Sequence, residues 1–133
     1  MKKQIRVLSF LLLALSGIHA HGEEITGELT TELAGITLDY EYVSGRKYTV
    51  TYHENTLEYL RRDVPGRDWE RGVAYIARKI NDDLYLLNWH RPDRVEYVTI
   101  LIDLENRILH TSALLEGTER HFDQANIVSI STP

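Results

Sequence analysis

The chain contains no cysteine. That absence excludes disulfides, thiolate zinc sites, iron–sulfur ligation and thiol nucleophiles, and it leaves packing alone to hold the fold. A long apolar run is also missing. The stretch from Val7 to Leu15, broken by Ser9, is the longest, and a membrane helix needs about 20 apolar residues. There is no glycine-rich phosphate loop and no nucleophile elbow. No strong helical pattern occurs, and no internal repeat of the length that marks solenoids or propellers.

What stands at the N-terminus is ordered. Lys2, Lys3 and Arg6 precede the apolar run; Ser16, Gly17 and then Ile18-His19-Ala20 follow it. This is the charged, apolar and small-residue sequence of a secretory signal peptide. The expectation is a signal peptide over residues 1–20 cleaved after Ala20, with cleavage after Ser16 or an uncleaved N-terminal anchor as alternatives. Without a cysteine after the run, a bacterial lipoprotein anchor is excluded. The protein is therefore expected to be exported, to a bacterial periplasm or the medium, with no membrane insertion after cleavage.

All 20 acids lie beyond residue 20, whereas three of the 15 Lys and Arg residues lie before it. The mature part is thus more acidic than the formal −5 of the whole chain. An acidic domain is a poor partner for nucleic acid or anionic membranes. Its length suits one domain.

Residues 21–35 are polar with three glycines. They read as a flexible or loosely docked leader, with a weakly patterned short helix around Glu28–Leu33. From Ile36 the pattern becomes period two: Ile36, Leu38, Tyr40 and Tyr42 alternate with polar residues, as in a half-buried strand. Lys47–Tyr52 and Leu57–Tyr59 repeat it after Ser44-Gly45 and His53-Glu54-Asn55. Residues 61–72 form the longest break, with Pro65-Gly66 as its turn and Trp69 packing the loop back onto the domain. Further strands are predicted at Val73–Ile80, Leu84–Trp89, Val95–Ile102, Ile108–Leu115 and Ile127–Ile130. Eight short strands joined by hairpins predict an all-β fold over residues 36–133. The first choice is an eight-stranded antiparallel up-and-down barrel whose interior holds one small ligand; a sandwich is the alternative. A homodimer through an exposed edge strand is compatible with this pattern.

Tyr40, Tyr42, Tyr48, Tyr52 and Tyr59 occupy the apolar phase of their strands. A buried tyrosine needs a partner for its hydroxyl. Such rings either form ordinary core or line a polar-tipped pocket.

The residues that carry a family likeness run from Ile36 to Leu115. They are Tyr40-Glu41-Tyr42, Ser44-Gly45, Tyr48, Thr56-Leu57-Glu58-Tyr59, Gly66-Arg67 with Trp69, Ile76, Trp89-His90-Arg91-Pro92 and Leu109-His110. This pattern resembles the phenolic acid decarboxylases and, equally, the MoaF-like domains. The resemblance implies a calycin-type, lipocalin-like barrel with one central cavity. It also implies that Tyr40, Tyr42 and Arg67 hold a substrate carboxylate, a role that two phenols and a guanidinium suit chemically. The decarboxylases carry a glutamate proton donor where this chain has Arg91. A guanidinium cannot donate that proton, so the resemblance implies a barrel without the family's reaction. Arg91 then either adds positive charge at the cavity mouth or is a solvated turn residue. Glu96 is the nearest acid that could replace the donor.

The histidines suggest no metal site. Cleavage after Ala20 would leave His21 as a terminal copper chelator, but no spacing pairs it with His53, His90, His110 or His121. No cofactor is implied. The expected function is binding of a small, anionic or aromatic molecule by Tyr40, Tyr42, Arg67, Tyr48, Tyr59, Trp89 and Arg91. The alternatives are a lyase or isomerase on the same scaffold and a filled barrel that presents its loops to a partner.

Overall fold

The computed structural model describes residues 28–133. The signal-peptide expectation for residues 1–20 lies outside the described residues, as do residues 21–27 of the leader. Eight strands run in order: β1 Thr37–Tyr42, β2 Lys47–Tyr52, β3 Thr56–Arg61, β4 Glu70–Asn81, β5 Leu84–Arg91, β6 Glu96–Asp103, β7 Ile108–Leu115 and β8 Glu119–Ser131. Each pairs antiparallel with the next, and β1 closes on β8. The all-β, up-and-down barrel is the observed fold, and the sandwich is excluded. Closure pairs the outer strands with each other, which removes the edge that an edge-to-edge homodimer would use.

The alternation seen in the sequence becomes an inside and an outside. In β1, Leu38, Tyr40 and Tyr42 point inward; in β5, Tyr85, Leu87 and Trp89 do; in β6, Val98, Ile100 and Ile102 do. The two ends of the cylinder are filled differently. At one end Leu38, Val50, Tyr52, Leu57, Ile102 and Leu109 are completely buried. Each fully buried aliphatic side chain contributes about 1.5–3 kcal/mol of transfer free energy.

Residues 28–36 cap this packed end. Leu29 bridges to Arg78 on β4, and the Thr30 N–H donates to the Ala77 carbonyl at 2.9 Å. Leu33 is fully buried in the core. Gly35 donates to the Tyr52 carbonyl at 2.8 Å, and Tyr52 donates back to Ile36 at 2.9 Å. Glu32 accepts from Lys79 Nζ at 2.7 Å and from the Tyr85 hydroxyl at 3.1 Å. The last part of the expected leader is therefore docked, and a turn over Glu32–Gly35 stands where a short helix was the expectation.

The other end carries the β1–β2, β3–β4, β5–β6 and β7–β8 connections. Gly45 has φ 93° and Gly66 φ 77°, the left-handed backbone that glycine adopts without a Cβ clash. The loops are tied to one another: Ser44 N–H donates to Asp123 at 3.0 Å, and Gly117 N–H donates to the Val95 carbonyl at 2.9 Å. Among the described residues, no helix is long and apolar enough to cross a membrane.

Candidate functional site

The loop end of the barrel is hollow. Around the cavity the inner face of β7 carries Thr111, Ala113 and Leu115, where β1, β2, β3 and β5 place aromatic rings. That deficit of side-chain volume leaves a cavity of about 150 Å³ open at the loops. An apolar cavity of about this size accepts a benzene ring.

One side of the wall is a continuous aromatic belt. Tyr40 stacks with Tyr48 at 5.8 Å between centroids and meets Tyr42 edge-on at 5.5 Å. Tyr48 meets Tyr59 at 6.1 Å, and Tyr59 stacks with Trp89 at 6.3 Å. The Tyr42 hydroxyl hydrogen-bonds to Thr111 Oγ1 across the interior at 2.7 Å. Burial raises the pKa of Tyr40, Tyr42 and Tyr59, so all three stay protonated.

Two polar atoms of the wall have no partner among the described residues. The Trp89 side chain belongs to a residue only 8% exposed, and its Nε1–H is buried without an acceptor. His121 Nε2 is buried without a hydrogen bond, with its ring edge-on to Tyr42 at 4.6 Å. Burial, and then the nearby Arg46 charge, push the His121 pKa down, so the imidazole is neutral near pH 7. An unmade buried hydrogen bond costs about 1–3 kcal/mol.

Four arginines line the mouth, and three of them have carboxylate partners. Arg46 pairs with Glu119, and Arg61 holds Asp63 through Nε and Nη2 at 3.0–3.2 Å. Arg94 donates to Glu70 at 2.5 Å. Arg67, on the β3–β4 loop, lines the cavity with no hydrogen bond or ion pair among the described residues. Its side chain is available to an anion.

The structure brings together six of the seven expected binding residues: Tyr40, Tyr42, Tyr48, Tyr59, Arg67 and Trp89. Tyr52, also on the apolar phase, belongs to the packed end. Arg91 sits at the rim but outside the cavity lining. Its guanidinium donates to Glu70 at 2.9 Å and Asp93 at 3.0 Å, with a 3.4 Å contact to the Tyr59 hydroxyl. Burial works against the Arg91 charge, but the Glu70 hydrogen bond and these other contacts outweigh it and keep it fully protonated. Trp69, expected to pack the long loop down, is half-buried with the Arg71 guanidinium 5.5 Å over its ring.

Sequence reasoning did not find Arg46, Arg61, Thr111 or His121. His121 lies where β8 faces the cavity and not the packed core. There the inward residues are polar, and Phe122 faces out at 82% exposure. The period-two signal is present in Glu119–Gln124, but with its hydrophobic phase inverted. Glu96, considered as an acid, does line the cavity, and burial raises its pKa. Among the described residues no group of three or more potential metal ligands converges.

No protein-family model matches the sequence, and no curated protein matches it. Among solved structures, the fold is similar to a crystal structure from Burkholderia vietnamiensis described as a "putative beta-lactamase". The TM-score is 0.64 at 18% sequence identity, over 76% of this chain and 95% of the other. At that identity the likeness establishes the fold alone: a closed, eight-stranded antiparallel barrel compatible with ligand binding.

Proposed function

We propose that the protein binds a small molecule carrying one aromatic ring and a carboxylate in the open end of the barrel. The observation that carries this reading is Arg67, a cavity-lining guanidinium with no internal carboxylate, set beside an aromatic belt that contains the unpartnered Trp89 N–H. A ring of the ligand packs against Tyr48, Tyr59 and Trp89, and its carboxylate accepts from Arg67. The resemblance to the phenolic acid decarboxylases and MoaF-like domains supports the same roles for Tyr40, Tyr42 and Arg67. Binding is favoured over decarboxylation because the position of the family's proton donor holds Arg91, permanently charged and occupied by Glu70 and Asp93. Hydrolysis of a β-lactam is not carried over from the structural neighbour, since the cavity lining contains no serine and no lysine. Export to a periplasm belongs to this reading and rests on residues 1–20.

The test is thermal denaturation with a panel of benzoates, phenylpropionates and hydroxycinnamates. At least one acid is expected to raise Tm in the wild type. Arg67→Ala should weaken that acid's binding about tenfold or more while leaving the ligand-free Tm nearly unchanged, because Arg67 makes no hydrogen bond or ion pair among the described residues for the substitution to break. No stabilisation by any acid of the panel contradicts the proposal.

A further inference from the structure

We infer that the ligand is a zwitterion in which an aromatic ring separates the carboxylate from an ammonium group. The inference rests on the reading above and adds a cation to it.

The charge inventory of the mouth motivates it. Four arginines line the cavity, but so do five carboxylates: Asp68, Glu70, Glu96, Glu116 and Glu119. The lining as a whole does not favour an anion. What it offers is separation of charge. Glu70 and Glu119 are bound to arginines, and Asp68 accepts from the backbone N–H of Trp69 at 2.7 Å. Glu96 and Glu116 make no hydrogen bond or ion pair among the described residues. Two carboxylates without a hydrogen bond or ion pair among the described residues thus line the same cavity as an unpaired guanidinium, with the Arg91 and Arg94 charges acting on Glu96.

Barrel order places them. The mouth loops follow one another round the rim, so the β7–β8 loop with Glu116 lies across from the β3–β4 loop with Arg67, and Glu96 opens β6 between them. Eight strands about 4.8 Å apart and tilted by about 40° close a cylinder roughly 16 Å across. The wall between suits both ends of such a molecule. Tyr59 and Trp89 offer ring faces to an ammonium, and the unpartnered Trp89 N–H offers a donor to a carboxylate oxygen.

The acidic side is held together at a conformational cost. Val95, which precedes Glu96, has φ 52°, a left-handed backbone that β-branched residues rarely adopt. Its carbonyl accepts from Gly117, which follows Glu116, and its Cγ1 would lie 3.4 Å from a Cβ at Gly117. This clasp brings Glu96 and Glu116 to neighbouring places; burial, and to a smaller degree the Glu116 charge, raise the Glu96 pKa against the opposing pull of Arg91 and Arg94.

The experiment is isothermal titration calorimetry of the wild type, Glu96→Gln and Glu116→Gln with three matched probes. They are 4-(aminomethyl)benzoate, 4-methylbenzoate and 4-methylbenzylamine. The zwitterion should bind the wild type about tenfold or more tighter than either single-charge probe. Glu96→Gln should erase most of its advantage over 4-methylbenzoate without weakening 4-methylbenzoate itself, and Glu116→Gln should erase part of it. If 4-methylbenzoate binds as tightly as the zwitterion, the ammonium is refuted while the carboxylate site stands. If 4-methylbenzylamine binds tightest, both readings fall. If none of the three binds, the zwitterion is refuted, and the acid panel above decides the carboxylate reading separately.

Discussion

Tyr42 and Tyr52 are both inward-facing tyrosines, yet their hydroxyls have opposite fates. Tyr42 finds Thr111 at 2.7 Å; the Tyr52 hydroxyl, at 0% exposure, finds no partner among the described residues. Removing an unsatisfied buried hydroxyl releases its desolvation cost, whereas removing a satisfied one strands its partner. Tyr52→Phe is therefore expected to leave stability unchanged or to raise it by about 1 kcal/mol. Tyr42→Phe should lower it by about 1–2 kcal/mol, since Thr111 is 3% exposed and loses its partner. Chemical denaturation of the two variants measures both signs. The rings themselves were legible from the alternation of β1, β2 and β3. Which hydroxyls are satisfied was not, because Tyr42 and Thr111 lie 69 residues apart.

At the scale of elements, β2 and β7 have the bounds the alternation predicts, because each carries a hydrophobic inner face flanked by turn residues. β8 runs 13 residues from Glu119, but only Ile127–Ile130 was recognisable. A strand that lines a cavity has no reason to put its apolar residues inside. The capping segment was hidden for a different reason. Its single anchor, Leu33, has no periodic neighbours, and the bonds of Thr30, Glu32 and Gly35 to β2, β4 and β5 depend on tertiary placement. Truncating a fully buried leucine costs about 2–5 kcal/mol. Leu33→Ala should thus destabilise the whole barrel by that amount and speed hydrogen exchange at Gly35 and Tyr52. A shift below about 0.5 kcal/mol would mean the cap contributes little.

For the whole molecule, stability without disulfides must come from the packed half, and the hollow half is held by ion pairs at the rim. Those pairs set the acid response. The Arg61 hydrogen bonds hold the Asp63 carboxyl at about 2, against an ordinary 3.8. A carboxylate with a depressed pKa stabilises fully above its unfolded value and loses that contribution as pH falls through the folded one. The loss should therefore fall between about pH 4 and pH 2. His121 acts earlier: its folded pKa lies below the ordinary 6.5, so the fold loses stability as pH drops below that value and the unfolded chain takes up the proton. Asp63→Asn should cost about 1 kcal/mol at pH 7, a rim pair being partly screened by solvent, and should flatten the stability curve between pH 4 and 2. Urea midpoints across that range provide the check. The fold was readable at this scale because hairpin spacing recurs along the chain. Which end is packed and which is empty was not, since that depends on how strands of unlike side-chain volume meet.

The two tryptophans offer the most direct measurement of the central claim, that the open end takes an aromatic carboxylate between Trp89 and Arg67. In a Trp69→Phe variant, Trp89 is the only remaining tryptophan, and its emission can be followed during titration with 3-phenylpropionate. A saturable change in intensity or wavelength, lost or shifted about tenfold to higher concentration by Arg67→Ala, is the predicted result. Emission that stays constant to about 10 mM acid, or that responds identically with and without Arg67, would contradict it.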